Sequence, residues 1–472
     1  MTAQTVTTST GTIGQIFMPM HFSSVNQFTH PAFDPHSCHP RDKADAVKIT
    51  RSTSSRSPVC RITIVDPLWK IITVALVLRK IAVFWGLISA TLIAEPLVIL
   101  VSIDGCRWDY PELHDAPTLQ QLSMEGFRVE RLVPSYPTKT FPNHYTLVTG
   151  LHPESHGIIQ NQFWDDDFKA WFGIGAHPAA REGRWWGGEP IWITAQNQGL
   201  RTACVFWPGT EADIRGQRPH KWLAYDGDMP EPERVQQVLT WTALPPTERP
   251  HFITLYFEAV DSAGHDFGPA AIQTNQALHL VDDALRQLRE GLIKQGLWES
   301  THLIVTSDHG MTEIDESRLI ILEDLIDLDE VRVVFNGASG GLDSLDEYRA
   351  PEIVQALDQH PHLHAFARAN VPARFHFSSN PRIPDIVLIP DLGWKIKSRS
   401  VPETESVSGG DHGYDNSEPD MASIFIARGP QFKARSSLKL SRNTDVYNLL
   451  CHLLKITPAP NEGSQILIPV AD

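Results

Sequence analysis

The chain has 472 residues, 42% of them hydrophobic and 20% charged, a globular composition with length enough for a large core. Its formal net charge of −16 excludes a protein that coats nucleic acid, because a phosphate polymer needs clustered Lys and Arg. Its cysteines (Cys38, Cys60, Cys106, Cys204 and Cys451) are scattered without a Cys-x-x-Cys pair, which supports neither a thiolate zinc site nor a dense disulfide framework. Small phosphorylated substrates stay open, since a bound cation reverses the local field.

Residues 1–67 are rich in Ser, Thr, His and Pro without a sustained apolar period, and are expected to be a disordered tail. An apolar segment follows at 68–94, interrupted by Lys70, Arg79 and Lys80. It reads as a signal anchor, with the two adjacent cations as a basic flank, or as a buried helix, or as the product of a misassigned start. From Leu97 the texture changes. LVILVSIDG is a continuous apolar run ending in a polar turn, the pattern of a strand buried on both faces. Similar runs begin at Phe252, His302 and Ala422. Between them lie helical stretches, PTLQQLSMEG and NQALHLVDDALRQLREGLIKQG, each closed by glycine. Strand alternating with helix predicts an α/β domain over 97–472 with a largely parallel sheet. Residues 313–405 look irregular, as insertions carried on that sheet.

Acids and histidines fall at the ends of the expected strands. Asp104 ends the first; Asp261 and His265 follow the second as D-S-A-G-H; Asp308 and His309 end the third; His412 lies in GGDHGYDN. In open α/β sheets, sites form outside the carboxyl ends of the strands, so these side chains can converge on one crevice. A single strand-end Asp is more often a turn former or helix cap, and a lone His is more often a core or surface residue. The combination is another matter, because imidazole with carboxylate and no Cys suits zinc with open coordination positions. Thr140, in PSYPTKTFPNHYTLVTG, becomes a competent nucleophile only where a dication favours its alkoxide. Pro142 disfavours helical geometry at Phe141, so Thr140 is expected on a turn entering a helix.

The segment around Thr140, together with WWGGEPIW, FWPG, ERPHFITLYFEAVDSAGHDFGP, VTSDHGM and GDHGYDN, resembles the nucleotide pyrophosphatase/phosphodiesterase family of the alkaline phosphatase superfamily. The resemblance runs from about Leu97 to near the C-terminus. It implies an alkaline-phosphatase-like sheet flanked by helices, and two Zn2+. One zinc would be held by Asp261, His265 and His412, and the other by Asp104, Asp308, His309 and Thr140. It further implies hydrolysis of nucleotide phosphodiester or pyrophosphate bonds through a covalent phosphothreonine. Asn143 would donate to a phosphate oxygen, although a helix-start Asn explains it equally well. Phe141, Tyr225 and Tyr256 would hold the base, and Tyr256, within a strand, is equally a core residue. Trp185 and Trp186 either line the site or pack. The other readings are a lysophospholipase D or choline phosphodiesterase on the same scaffold, and a membrane-tethered binding protein without catalysis. The expected location is a single-pass membrane protein with an extracytoplasmic catalytic domain, or a secreted one.

Overall fold

The structure, a computed structural model, describes residues 96–174, 178–346, 348–399 and 407–468. The expected tail (1–67) and apolar segment (68–94) lie outside the described residues. Among the described residues no helix is long and apolar enough to cross a membrane.

The centre is an eight-stranded sheet. Its strands are β1 (Leu97–Ile103), β2 (Phe127–Val133), β3 (Thr202–Val205), β4 (Lys221–Leu223), β5 (Phe252–Phe257), β6 (Thr301–Thr306), β7 (Ser423–Arg428) and β8 (Ser436–Arg442). Side by side they run β8-β2-β7-β6-β1-β5-β3-β4. β1 is parallel to both its neighbours, β5 and β6. The expected parallel sheet is therefore present, with one exception. β7 runs antiparallel to β6 and to β2, which an apolar run alone does not reveal, since hydrophobicity carries no direction.

Six helices matter to the packing: α1 (Pro117–Glu125), α2 (Thr140–Thr149), α3 (Glu231–Thr242), α4 (Ala259–Phe267), α5 (Ile272–Lys294) and α6 (Asp445–Leu454). Every residue of β1 is buried, and alternate side chains enter different cores. Val98 and Leu100 join Tyr145 and Leu147 of α2 and Leu449 of α6. Ile99, Val101 and Ile103 join Leu119 of α1, Val238 of α3 and Leu278 and Leu285 of α5. α1 has no side-chain cap of its own. The carboxylate of Asp282 on α5 supplies one, accepting the N–H groups of Thr118 and Leu119, both at 2.9 Å.

The described residues within 313–399 form more regular structure than their composition suggests. Val331–Phe335, Gly340–Ser344, Ile386–Pro390 and Leu363–Ala367 form, in that spatial order, a four-stranded antiparallel sheet. With the helix Ala350–Leu357 it encloses its own core of Leu342, Ile353, Leu357, Ile386 and Leu388. Short strands broken by Gly and Pro mask the alternation that would have announced them.

Candidate active site

The site lies beyond the carboxyl ends of β1, β5 and β6. Asp104 follows β1, and its N–H donates to the Phe257 carbonyl of β5 at 2.9 Å. Asp261 and His265 sit one turn apart on α4, which starts just past β5 and so presents both on one face. Asp308 and His309 follow β6. His412 follows the short strand Gly409–Asp411, which pairs antiparallel with Thr312–Ile314. Thr140 is the first residue of α2.

Two groups of donor atoms result. In the first, Nε2 of His309 lies 2.8 Å from Asp308 Oδ2, 3.4 Å from Asp104 Oδ1 and 3.4 Å from Thr140 Oγ1. In the second, Asp261 sets Oδ2 3.6 Å from Nε2 of His265 and Oδ1 3.6 Å from Nε2 of His412, and those two nitrogens are 3.1 Å apart. A tetrahedral ion with bonds of about 2.0–2.1 Å places its ligand atoms roughly 3.3 Å from one another. The separations match.

Proton positions agree. Nδ1 of His309 donates to the Gly310 carbonyl at 2.9 Å, that of His265 to Gly410 at 2.9 Å, and that of His412 to Thr138 at 2.7 Å. A carbonyl only accepts, so each ring carries a proton on Nδ1 and in its neutral form offers a lone pair at Nε2, the usual arrangement of a metal-ligating imidazole. Burial lowers the His309 pKa, but Asp308 outweighs it and raises it, so without a metal this ring is held toward its protonated form. The facing Nε2 atoms of His265 and His412, 3.1 Å apart, must share a proton or a metal ion between them. Asp104 Oδ1 and Asp261 Oδ1 are buried without a hydrogen-bond donor. The residues thus fit divalent-cation binding.

The charges show what the cations would relieve. Burial, with Asp308 and Asp261 nearby, raises the Asp104 carboxyl well above the usual carboxylate range. Burial raises Asp308 too, but His309 and His144 outweigh it and hold that carboxyl well below the usual range. Burial, then His309, pushes the His412 imidazole well down and so keeps it neutral.

Several sequence expectations need correction. α2 begins at Thr140 and runs straight through Phe141 and Pro142. Pro142 is tolerated because the first N–H groups of a helix have no partner within it. Asn143 is fully buried and its amide is committed elsewhere. Its Oδ1 accepts from the Ser135 N–H and from Asn443 Nδ2, both at 2.8 Å, and its Nδ2 donates to the carbonyls of Pro137 and Lys139, both at 2.9 Å. It braces the chain entering α2 and does not face a phosphate. Asn143→Ala should therefore cost about 2–4 kcal/mol of stability, read by urea denaturation, because it strands several buried groups.

The amide beside the nucleophile is Asn161, which the sequence reading missed. Its Oδ1 accepts the Phe141 N–H at 2.9 Å, which directs its NH2 group away from that bond. His144 was missed as well. One turn along α2 from Thr140, its Nδ1 donates to the Thr140 carbonyl at 2.9 Å and stands 3.4 Å from Asp308 Oδ2, while its Nε2 accepts from Ser102 Oγ at 2.8 Å. The spacing of four residues in a helix was the available signal.

A cavity of about 230 Å³ adjoins the donor atoms and is lined by Asp104, Thr140, Phe141, Phe206, Trp207, Tyr225, Tyr256 and Asp261, among others. Tyr225 is 44% exposed there. Tyr256 is 8% exposed and donates its hydroxyl to Asp104 Oδ2 at 2.6 Å, so it orients that carboxylate as well as lining the cavity. Trp185 and Trp186 are both buried, and Trp186 packs behind Phe141 with ring centroids 6.0 Å apart.

A parallel-centred sheet, acids and imidazoles at its strand exits, and a helix-borne threonine beside them define a metal-binding scaffold of the alkaline phosphatase type. Residues 98–415 match the family of type I phosphodiesterases and nucleotide pyrophosphatases. The chain belongs to that family. It is 38% identical over 382 residues to a venom phosphodiesterase of Macrovipera lebetinus, covering 78% of this chain and 44% of that one. It is 36% identical over 389 residues to an uncharacterized pyrophosphatase/phosphodiesterase of Schizosaccharomyces pombe, covering 80% of each. The chain thus spans under half the length of the venom relative. Among solved structures it resembles murine ectonucleotide pyrophosphatase/phosphodiesterase 5, crystallised as an inactive Thr-to-Ala variant in complex with AMP, with TM-score 0.74 and 34% identity over 78% of this chain and 98% of that one.

Proposed function

We propose that the chain is a two-zinc hydrolase that cleaves nucleotide phosphodiester or pyrophosphate bonds and releases nucleoside 5′-monophosphates through a phosphothreonine at Thr140. The observation that carries this reading is the placement of Thr140 Oγ1 3.4 Å from His309 Nε2, beside the strand-exit acids and imidazoles. Asp104, Asp308 and His309 would hold one ion with Thr140; Asp261, His265 and His412 would hold the other. Bound there, the ions would supply Lewis acidity, lowering the pKa of the hydroxyl and of the attacking water and offsetting charge on the phosphoryl oxygens.

The residues of the chain do the rest. Thr140 Oγ1 releases its proton to solvent and attacks phosphorus in line with the departing oxygen, so the Oγ1–P bond forms as the P–O bond to the leaving group breaks and the leaving group departs as an oxyanion or takes a proton from solvent. Water then attacks the same phosphorus, the Oγ1–P bond breaks, and the proton lost by that water balances the one that returns to Thr140. His144 fixes the first turn of α2 through the Thr140 carbonyl. Asn161 replaces Asn143 as the amide donor to a phosphoryl oxygen, a role that needs a group held in advance by its surroundings, as the Phe141 N–H holds Asn161.

The cavity lined by Phe141, Tyr225 and Tyr256 would take the nucleobase. Stacking tolerates different bases, so selection is by the presence of a base more than by its identity. The test is side-by-side turnover of a thymidine-monophosphate nitrophenyl ester, ATP and a choline phosphodiester. The nucleotide substrates should exceed the choline ester in kcat/KM by about 10–100-fold, the worth of one stacked base. An inert nucleotide ester beside a turned-over choline ester would establish the lysophospholipase reading in its place. By the same reading the catalytic domain is extracytoplasmic, membrane-anchored or secreted, and native protein found unprocessed and soluble in the cytosol contradicts that placement.

A further inference from the structure

A fourth carboxylate stands beside the group formed by Asp261, His265 and His412. Asp411 immediately precedes His412, is 1% exposed, and has an oxygen within 4.8 Å of ring nitrogens of both His265 and His412. A dication held by those imidazoles would attract this carboxylate strongly at such range in a dry interior.

Both of its oxygens are held elsewhere. Oδ1 accepts the His412 backbone N–H at 2.8 Å and lies 3.3 Å from Lys139 Nζ. Oδ2 lies 2.9 Å from Lys395 Nζ. Each lysine is only 6% exposed. Lys139 adjoins Thr140, whereas Lys395 arrives from the strand Lys395–Lys397, which pairs with Leu319–Ile321 far along the chain. Burying an ammonium is costly, so its placement beside this carboxylate calls for a reason beyond packing.

We propose that Lys395 is a positioning residue that holds Asp411 off the metal bound by Asp261, His265 and His412, and so keeps open the coordination position that a phosphoryl oxygen must occupy. The chemistry of zinc supplies the reason. Hydrolytic zinc keeps one position for a reacting group, as Thr140 would take one on the other ion, while a fourth protein ligand that takes no part in the reaction closes the site. Without the Lys395 ammonium, Oδ2 is a buried anion next to a dication, and swinging onto the ion is its best remaining contact. The region 313–405 thereby contributes directly to the site. The proposal rests on the metal assignment made under Proposed function.

The test uses the purified full chain, with Lys395→Met, Asp411→Asn and the double variant beside wild type. Zinc content, the rate of zinc loss to a chelator, and the affinity of inorganic phosphate for the zinc-loaded protein are measured together with turnover. Lys395→Met should retain its zinc and lose it no faster than wild type, yet bind phosphate and turn over about 10–100-fold less well, the range for groups that orient metal ligands. Adding Asp411→Asn to Lys395→Met should restore phosphate binding, because a neutral amide is a poor competitor for the ion. Zinc lost together with activity in Lys395→Met, or phosphate affinity left unchanged, overturns the proposal. Should Lys395→Met fail to fold, Asp411→Asn alone decides: retention of both ions supports the proposal, and loss of one shows Asp411 to be a true ligand and overturns it. A wild-type chain that binds no zinc at this group refutes the metal assignment itself, and the proposal with it.

Discussion

Thr140→Ala should lower turnover by on the order of 10⁴-fold or more while leaving metal content and stability close to wild type. The size of the loss follows from covalent catalysis: without Oγ1 there is nothing to form the bond to phosphorus, and what remains is binding and electrostatics. The retention of metal follows from the donor set, since Asp104, Asp308 and His309 still converge when the neutral hydroxyl is gone. The fold should tolerate the change because Lys139, not Thr140, is the N-cap of α2, and alanine is the best helix former. Thr140→Ser should keep substantial activity, because the hydroxyl stays. Steady-state kinetics, metal analysis and thermal denaturation on the three proteins check all of this. Unaltered activity in Thr140→Ala removes the nucleophile from the account.

Chelation should abolish turnover, and zinc added back should restore most of it at two ions per chain. The donor atoms are crowded and mostly anionic. Asp104 and Asp261 each keep a buried oxygen without a donor, and the Nε2 atoms of His265 and His412 face each other at 3.1 Å. The same features set the pH dependence of reloading. Burial and the neighbouring acids raise the Asp104 carboxyl, so the metal-free protein holds a proton there to a higher pH than an ordinary aspartate would. Zinc must displace that proton, so apparent affinity should rise with pH until Asp104 is ionised and fall on acidification. Zinc binding measured by competition with a chelator at several pH values gives the slope. Full activity after thorough removal of metal would leave every role described here without a basis.

Much of this site was legible in the sequence for a simple physical reason. β1 and β6, with Asp104 and Asp308 just beyond them, are buried on both faces, and such strands leave continuous apolar runs whose ends are easy to see. The positions that follow them are where crevices form in a parallel sheet. The direction of β7 was hidden, as was the sheet within 313–405, where short Gly- and Pro-interrupted strands leave little periodicity. Asn143 and Asn161 could not be told apart by residue type. Only the fold shows that the first spends its whole amide on Ser135, Pro137, Lys139 and Asn443, while the second meets the Phe141 N–H. Tyr256 falls under both of its readings. It is buried within β5, and its register opposite Ser102 brings its hydroxyl onto Asp104, just past the end of β1, while its ring lines the cavity.

The stereochemical course at phosphorus tests the central claim most directly, because it does not require an intermediate to accumulate. A nucleotide ester made chiral at phosphorus with sulfur and oxygen isotopes is hydrolysed in labelled water, and the configuration of the product is determined. Attack by Thr140 followed by attack of water inverts phosphorus twice, so net retention is the predicted result. Net inversion would mean that water attacks directly, and would contradict Thr140 as the nucleophile.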